Sequence, residues 1–508
     1  MCKRGIGGLL LTTVWAAGSV AGVSGQVQLQ QAQLQQAQLV DAARTGDASA
    51  IRALLKKRAD VNGAQPDGTT ALHWAAYRED IETARLLLQA GANVKAENRH
   101  GATPLSAAAI NGNTDIIGLL LKAGADPNTK LPDGETALMT AARSGSAGAV
   151  KLLLEAGANV NAREPSRAQT ALMWAAAEGH VEVLKLLLKY GADLYARSDA
   201  VYVPAEAQFR QNEEQHGGFT AALFAAREGQ IGALQTLLAA GANVNDSLLV
   251  LKNKDAKPEP GLNVFLLAVE NAHYQLAASL LDSGVDANMA PFGWTALHQL
   301  SWVRKADDAG HAAPPPEGSG NMTAFEFARK LVKQGANVNA RATTKRSPAG
   351  GGSLNMLEAT PFLMAARTKD AAYMRLLAEL GADPLLPNAD NTTPLMAAAG
   401  IGMNSLDDGE TERQLLEAVS VAIELGNDVN AVDHNGETAM HGAAYKLVPA
   451  LVKLLAEKGA KVEVWNKPNK KGASPLEIAM KTKSNKSASD SPRTVTAIQE
   501  LLTKAGQD

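Results

Sequence analysis

Three histidines come first among the residues that could do chemistry: His73, His298 and His441. Imidazole is the usual general base and a common zinc ligand, so a search for catalysis starts there. Each of the three closes the same short phrase, Thr-x-x-His, at Thr70, Thr295 and Thr438. A residue repeated in a fixed phrase serves a repeated structural unit. A metal site or catalytic triad instead gathers unlike partners once. The paired acids Asp407 and Asp408 could hold a cation or move a proton, but they lie in an interruption of the apolar pattern, where solvation explains them. The chain has no H-E-x-x-H, G-x-S-x-G, G-x-x-x-x-G-K-[ST] or C-x-x-C-H. Its one cysteine, Cys2, can form neither an internal disulfide nor a cysteine metal cluster. No catalytic residue, metal site or cofactor is expected, and the protein is not expected to be an enzyme.

The phrase that carries these histidines recurs. Its first part is T-x-L-x-x-A-A, as in Thr70-Ala71-Leu72-His73-Trp74-Ala75-Ala76. Its second is L-L-x-x-G-A-[ND], as in Leu87-Leu88-Gln89-Ala90-Gly91-Ala92-Asn93. It returns at Thr103, Thr136 and Thr170, and the closing glycines Gly91, Gly124, Gly157 and Gly191 are 33, 33 and 34 residues apart. A fixed period of this size marks stacked repeats rather than a closed globule. Each position has a mechanical reason. Threonine ahead of a helical run caps it by accepting from a first-turn N–H. Pro104, Pro361, Pro394 and Pro475 follow at the first helical position, where a missing N–H costs nothing. Paired alanines let two helices approach closely. The leucine run supplies the buried stripe of the second helix. The glycine supplies the left-handed residue that ends it. One unit is therefore helix, tight turn, helix, then a projecting turn.

The stretches Asp67 to Ala76 and Asn435 to Ala444 resemble the ankyrin-repeat consensus D-G-x-T-P-L-H-x-A-A nearly letter for letter. The resemblance runs over roughly residues 39 to 506. It implies an all-α ankyrin solenoid of about ten helix-turn-helix units between two caps, with hairpin-like fingers. It implies that the histidines hydrogen-bond neighbouring loops, as does the Gly179-His180 turn. It also implies a function in protein binding.

Three segments organise the chain: a signal peptide at 1–25, a Gln-rich leader at 26–38 and the solenoid at 39–508. Lys3 and Arg4 precede an apolar run from Ile6 to Trp15, and Val23-Ser24-Gly25 suits signal peptidase. The run is shorter than the ~20 residues that span a bilayer. Cleavage, export to the periplasm or medium, and no stable membrane insertion are expected. Arg58 replaces the closing glycine of the first unit, as suits a capping repeat. Beyond Gly191 the closing glycines are 50, 43, 51, 46, 45, 33 and 47 residues apart. Loop insertions at 198–217, 246–260 and 341–358 interrupt the turns between units. Those at 303–321, 402–411 and 482–493 separate the two helices of a unit. The regular block 67–191 is expected to be the most stable part, and 245–360 to open first.

A net charge of −3 argues against general nucleic-acid binding. The expected partner is a protein, bound by a monomer. In ankyrin repeats the residues after the alanine pair lie on the concave face. Here they include Tyr77, Arg78, Arg143, Arg227, Trp302, Arg367 and Tyr445. Arg, Tyr and Trp are the side chains enriched at binding hot spots. Tyr202 and Phe209, in the 198–217 insertion, extend the candidate site in a chain with only 4% aromatics. The expected role is a non-catalytic protein-binding scaffold. The alternative is a dedicated accessory or inhibitor of one envelope or secreted enzyme.

Overall fold

The computed structural model describes residues 35–131, 133–199, 215–251, 259–304, 320–345, 353–402, 409–481 and 490–506. The chain divides into two compact units. One is Met1–Asp199 with Gln235–Gly241; the other is Ala200–Leu234 with Ala242–Asp508. Among the described residues, ten helix pairs lie between a first pair, 35–45 with Ala48–Lys56, and a last, Pro475–Lys481 with Asp490–Lys504. The fold class is an all-α repeat solenoid, as the sequence implies.

The first unit shows the repeat at its plainest. Inner helices Ala71–Tyr77, Pro104–Asn111, Ala137–Arg143 and Ala171–Ala177 alternate with outer helices Ile81–Gln89, Thr114–Lys122, Ala147–Glu155 and Val181–Lys189. Thr103, Thr136 and Thr170 cap the inner helices by accepting from the backbone N–H three residues on. Asp80, Asn113 and Ser146 do the same for outer helices. Gly91, Gly124 and Gly157 have φ of 90°, 91° and 90°. A Cβ there would meet nothing within 4 Å, so the backbone angle, not space, requires glycine. Arg58 adopts φ 59° without that freedom, as do Glu79 and Ala168 elsewhere in this unit at φ 60° and 54°.

Two polar devices set the register between repeats. The Asn128 side-chain amide donates to Gly157 O (3.1 Å) and its oxygen accepts from Asn159 N–H (2.7 Å). Asn161 repeats this with Gly191 and Asp193, and Asn430 with Gly459 and Lys461. The finger turns also bond to one another, Arg99 N–H to Asp67 O and His434 N–H to Asp390 O.

The second unit uses the same pairs and departs from them in two ways. The neighbouring insertions at 198–217 and 246–260 are not both plain loops. Strand β1, Gln215–Gly217, pairs antiparallel with β2, Ser247–Leu251, which pairs with β3, Glu259–Asn263. Sequence reading missed this sheet, although Ser247-Leu-Leu-Val-Leu251 has a strand's apolar content. The other departure is helical. Insertions at 402–411 and 482–493 run into lengthened second helices, Gly409–Glu424 and Asp490–Lys504, of 16 and 15 residues against nine in the regular repeats. Residues 409–411 and 490–493, expected as loop, are helix. Among the described residues, no helix is long and apolar enough to cross a membrane.

Candidate functional site

The histidines occupy closed structural positions. His73 Nε2 lies 2.9 Å from Ala102 O, so it carries the proton and donates; Nδ1 then accepts from Thr70 N–H at 3.2 Å. His298 spans Thr295 and Ala359 O in the same way, and His441 spans Thr438 and Lys467 O. Burial is the main cause of their lowered pKa, at about 4 for His298 and His441. A neutral imidazole with both nitrogens committed can neither bind metal nor take a substrate proton. His180 Nε2 donates likewise to Arg143 O (2.9 Å). Among the described residues, no group of three or more His, Cys, Asp or Glu could hold a metal ion.

In the first unit, the last turns of the inner helices present exposed side chains. Tyr77 is 50% exposed and Ile110 54% exposed. Tyr77 stands edge-on to Trp74, ring centroids 6.2 Å apart. Arg143 lies 4.7 Å over the Trp174 ring and 3.7 Å from Glu135. Burial, opposed by Arg143, pushes the Glu135 carboxyl above its ordinary range. Arg78 is exposed, with its guanidinium beside Gly46. Trp174 and Glu135 were not singled out from sequence. The signal for Trp174 was positional: it occupies the phrase position that holds Trp74 three repeats earlier.

Family comparison covers this part of the chain. A family model described as ankyrin repeats (3 copies) matches residues 39–131 and 124–198. A second, ankyrin repeats (many copies), matches residues 172–238. Residues 39–238 are thus similar to ankyrin repeats. No curated protein matches the chain. Ankyrin repeats suggest a protein-interaction scaffold.

The remaining predicted residues fall in the second unit and differ from one another. Arg227 lies over Phe219 and Phe224, 5.0 and 4.9 Å from their rings, and pairs with Glu228 at 2.7 Å. Trp302 is half-buried, edge-on to Trp294, with its indole N–H donating to Glu270 at 3.3 Å. Gln299 donates to the same Glu270 oxygen, yet burial still raises that carboxyl's pKa. Arg367 corrects an expectation. It is 2% exposed and so belongs to the packed interior rather than to an open face. Lys446 is equally buried. Tyr445 is half-buried; its hydroxyl donates to Glu437 (2.7 Å) and accepts from Asn469 (3.0 Å). Burial and the Glu437 bond raise its pKa. Tyr202 and Phe209 lie outside the described residues.

One cleft in this unit went unpredicted. It holds about 240 Å3 and is lined by Leu354, Asn355, Asp390, Glu437, Asn469 and Lys471, among others. Ser353, Leu354 and Asn355 of the 341–358 insertion form one wall. Ser353 N–H bonds Gly402 O at 2.7 Å, and Leu354 and Met356 join a core with Trp294, Met396 and Ile401. Sequence alone gave a length for this insertion but no docking point.

Proposed function

We propose that the protein is an exported, monomeric, non-catalytic scaffold that binds protein partners through its ankyrin repeats. One observation carries this reading. Tyr77, Ile110 and Arg143 occupy the same position in three successive inner helices and remain exposed, while every histidine of the phrase is closed off. Tyr and Arg over tryptophan, without cover, are what a protein partner buries at a hot spot. Export rests on Lys3, Arg4, the apolar run and Val23-Ser24-Gly25. A periplasmic or secreted location follows from it.

The test is capture from an extract of the native host's envelope and medium, using the mature chain and its Tyr77→Ala, Arg143→Ala double variant. Proteins held by the mature chain and lost by the variant support the reading. Equal capture by both would move the site elsewhere, and turnover by the pure protein would overturn the non-catalytic assignment. Intact mass of protein from that host tests export: a species retaining Lys3 and Arg4 would refute it.

A second reading, a dedicated accessory or inhibitor of one envelope or secreted enzyme, is favoured by the cleft. Its wall is built by an insertion rather than by the repeat, which suits one particular partner. Recovery of a single stoichiometric enzyme would select this reading; a mixed set would select the general scaffold.

A further inference from the structure

The cleft in the second unit contains a carboxylate that the fold has positioned and left half-used. Glu437 is 7% exposed. Its Oε1 accepts from the Tyr445 hydroxyl at 2.7 Å and from the Asn469 amide at 2.8 Å. Asn469 is itself fixed, since its oxygen accepts from Lys471 N–H and Ala473 N–H. Among the described residues Glu437 Oε2 has no hydrogen-bond or ion-pair partner, and it is not among the polar atoms sealed from solvent. Glu437 lines the cleft, so this oxygen is reached from there. Asp390, on the preceding finger, lines it too, with Oδ1 held by the Asn355 amide (3.0 Å).

A buried carboxylate without a cation is costly unless something completes it. Lys470 and Lys471 also line the cleft, but both are exposed, and among the ion pairs of the described residues neither joins Glu437 or Asp390. Solvent and salt screen such exposed charges, whereas they screen a buried carboxylate much less. The interior of the cleft is therefore acceptor-rich despite its two basic rim residues. Its size decides what fits. About 240 Å3 is below the ~300–1,000 Å3 of small-molecule sites, and suits a side chain rather than a whole cofactor.

We propose that this cleft is a socket for an arginine side chain presented by a partner protein. The proposal rests on the protein-binding reading above and names the chemistry of the group recognised. Guanidinium offers five donors in a planar fork, enough to meet Glu437 Oε2 and Asp390 together, where an ammonium offers three from one point. The Tyr445 and Asn469 bonds hold the acceptor in place before binding, so little ordering remains when the arginine enters. Tyr445 thus acts as a positioning residue behind Glu437, not as a contact on an open face.

The probe is the peptide acetyl-Gly-Ser-Arg-Gly-Ser-amide, titrated into the full mature chain by calorimetry. The control peptide carries citrulline, which keeps the shape and removes the charge. Expected is saturable binding of the arginine peptide, about tenfold or more tighter than citrulline, as a charge-assisted bond lost from a desolvated site implies. Glu437→Gln, which retains an acceptor for Tyr445 and Asn469, should cost about the same factor; Asp390→Asn provides a second variant if the first is unstable. Equal binding of the two peptides by the wild-type chain would overturn the proposal without any variant, as would full affinity in a folded Glu437→Gln. The two readings fail separately. Arginine-peptide binding with no protein captured from the extract would leave the socket and remove the scaffold. Captured partners indifferent to Glu437→Gln would leave the scaffold and remove the socket.

Discussion

The first unit and the second are built from one phrase but use it differently. In the first, the repeat spends its polar groups on register and leaves its inner-helix ends in solvent, with Tyr77 and Ile110 about half exposed. In the second, some of the corresponding ends are covered: Arg367 and Lys446 are each 2% exposed, whereas the Arg227 side chain is 38% exposed. The second unit also adds aromatics to the alanine-rich core. Tyr274 stacks on Phe327 at 5.6 Å, and Phe265 approaches Phe327 at 6.4 Å. Arg304 sits 4.1 Å over Phe325 and pairs with Asp370, which is itself 2% exposed on its side chain. Repeat regularity and interface strength are therefore separate properties. A unit interrupted by insertions can hold larger side chains between its helices than an uninterrupted one.

That distinction bears on the expectation that residues 245–360 open first, which assumed thin interfaces. The sharpest way to break it is Phe327→Ala. Phe327 is 0% exposed, and removing a buried phenyl costs about 3–5 kcal/mol. Hydrogen exchange should show protection lost in 264–333 and kept in 104–189, because repeat neighbours carry the stability locally. Parallel loss in both regions would mean a single cooperative block, and the contrast between the units would fall.

Asp370→Asn is expected to cost about 3 kcal/mol, since it strands Arg304 in a mostly buried pair. The matching change in the first unit is Glu82→Gln, which removes an exposed partner of Arg52. Exposed pairs contribute about 0–1 kcal/mol. Denaturant midpoints of the two variants check this. Equal shifts would show that burial of the pair contributes nothing.

Acid should separate the units next. His298 and His441, both in the second unit, are held neutral with pKa lowered to about 4, mainly by burial. Unfolded histidine takes up a proton near 6.5. The unfolded state therefore binds more protons between those values. The stability is fully present above about pH 6.5 and is lost as pH falls toward about 4. By pH 5 each histidine costs roughly 2 kcal/mol. His73 is lowered for the same reason, but Ser106, Met139 and Met173 hold its position in the next three repeats of the first unit. Urea unfolding at pH 7.5 and pH 5.0, followed by exchange in each unit, should show the larger loss in the second. Equal losses would remove the histidines as the cause.

Much of this was legible in the residues. Thr70, Thr136 and Thr170 declared helix starts, Gly91 and Gly124 declared helix ends, and the period declared stacking, because each rests on a local backbone requirement. The histidines were legible for the same reason: Thr-x-x-His is a capping box closed within four residues. What stayed hidden depends on distant partners. Arg367 follows the same phrase as Arg143, yet one is buried and the other lies open over Trp174. Nothing within the phrase distinguishes them. The cleft likewise needs Ser353 to meet Gly402, two residues that no local pattern connects. The sheet was recoverable in part: Ser247–Leu251 carries strand composition, but its partner Gln215–Gly217 lies across an intervening helix pair.

The smallest expected effect concerns that insertion. Both ends of 198–217 are tied down. Asp199 N–H bonds Arg167 O at 2.7 Å, and Gln215–Gly217 pairs with Leu249–Leu251. Shortening the whole of 198–217 would remove the edge strand along with any binding residues, so lost affinity could not be assigned to either. The cleaner variant replaces 200–214 with a short Gly-Ser linker. It keeps β1, and stability should stay within about 0.5 kcal/mol of the parent. Exchange protection at 247–251 should also be unchanged, whereas removal of 215–217 should lower it by leaving β2 paired on one side only. Partner affinity then decides between two surfaces. A loss on replacing 200–214 assigns the contact to the segment holding Tyr202 and Phe209. Full affinity assigns it to the first unit, where Tyr77, Arg78 and Arg143 stand exposed on consecutive or neighbouring inner helices.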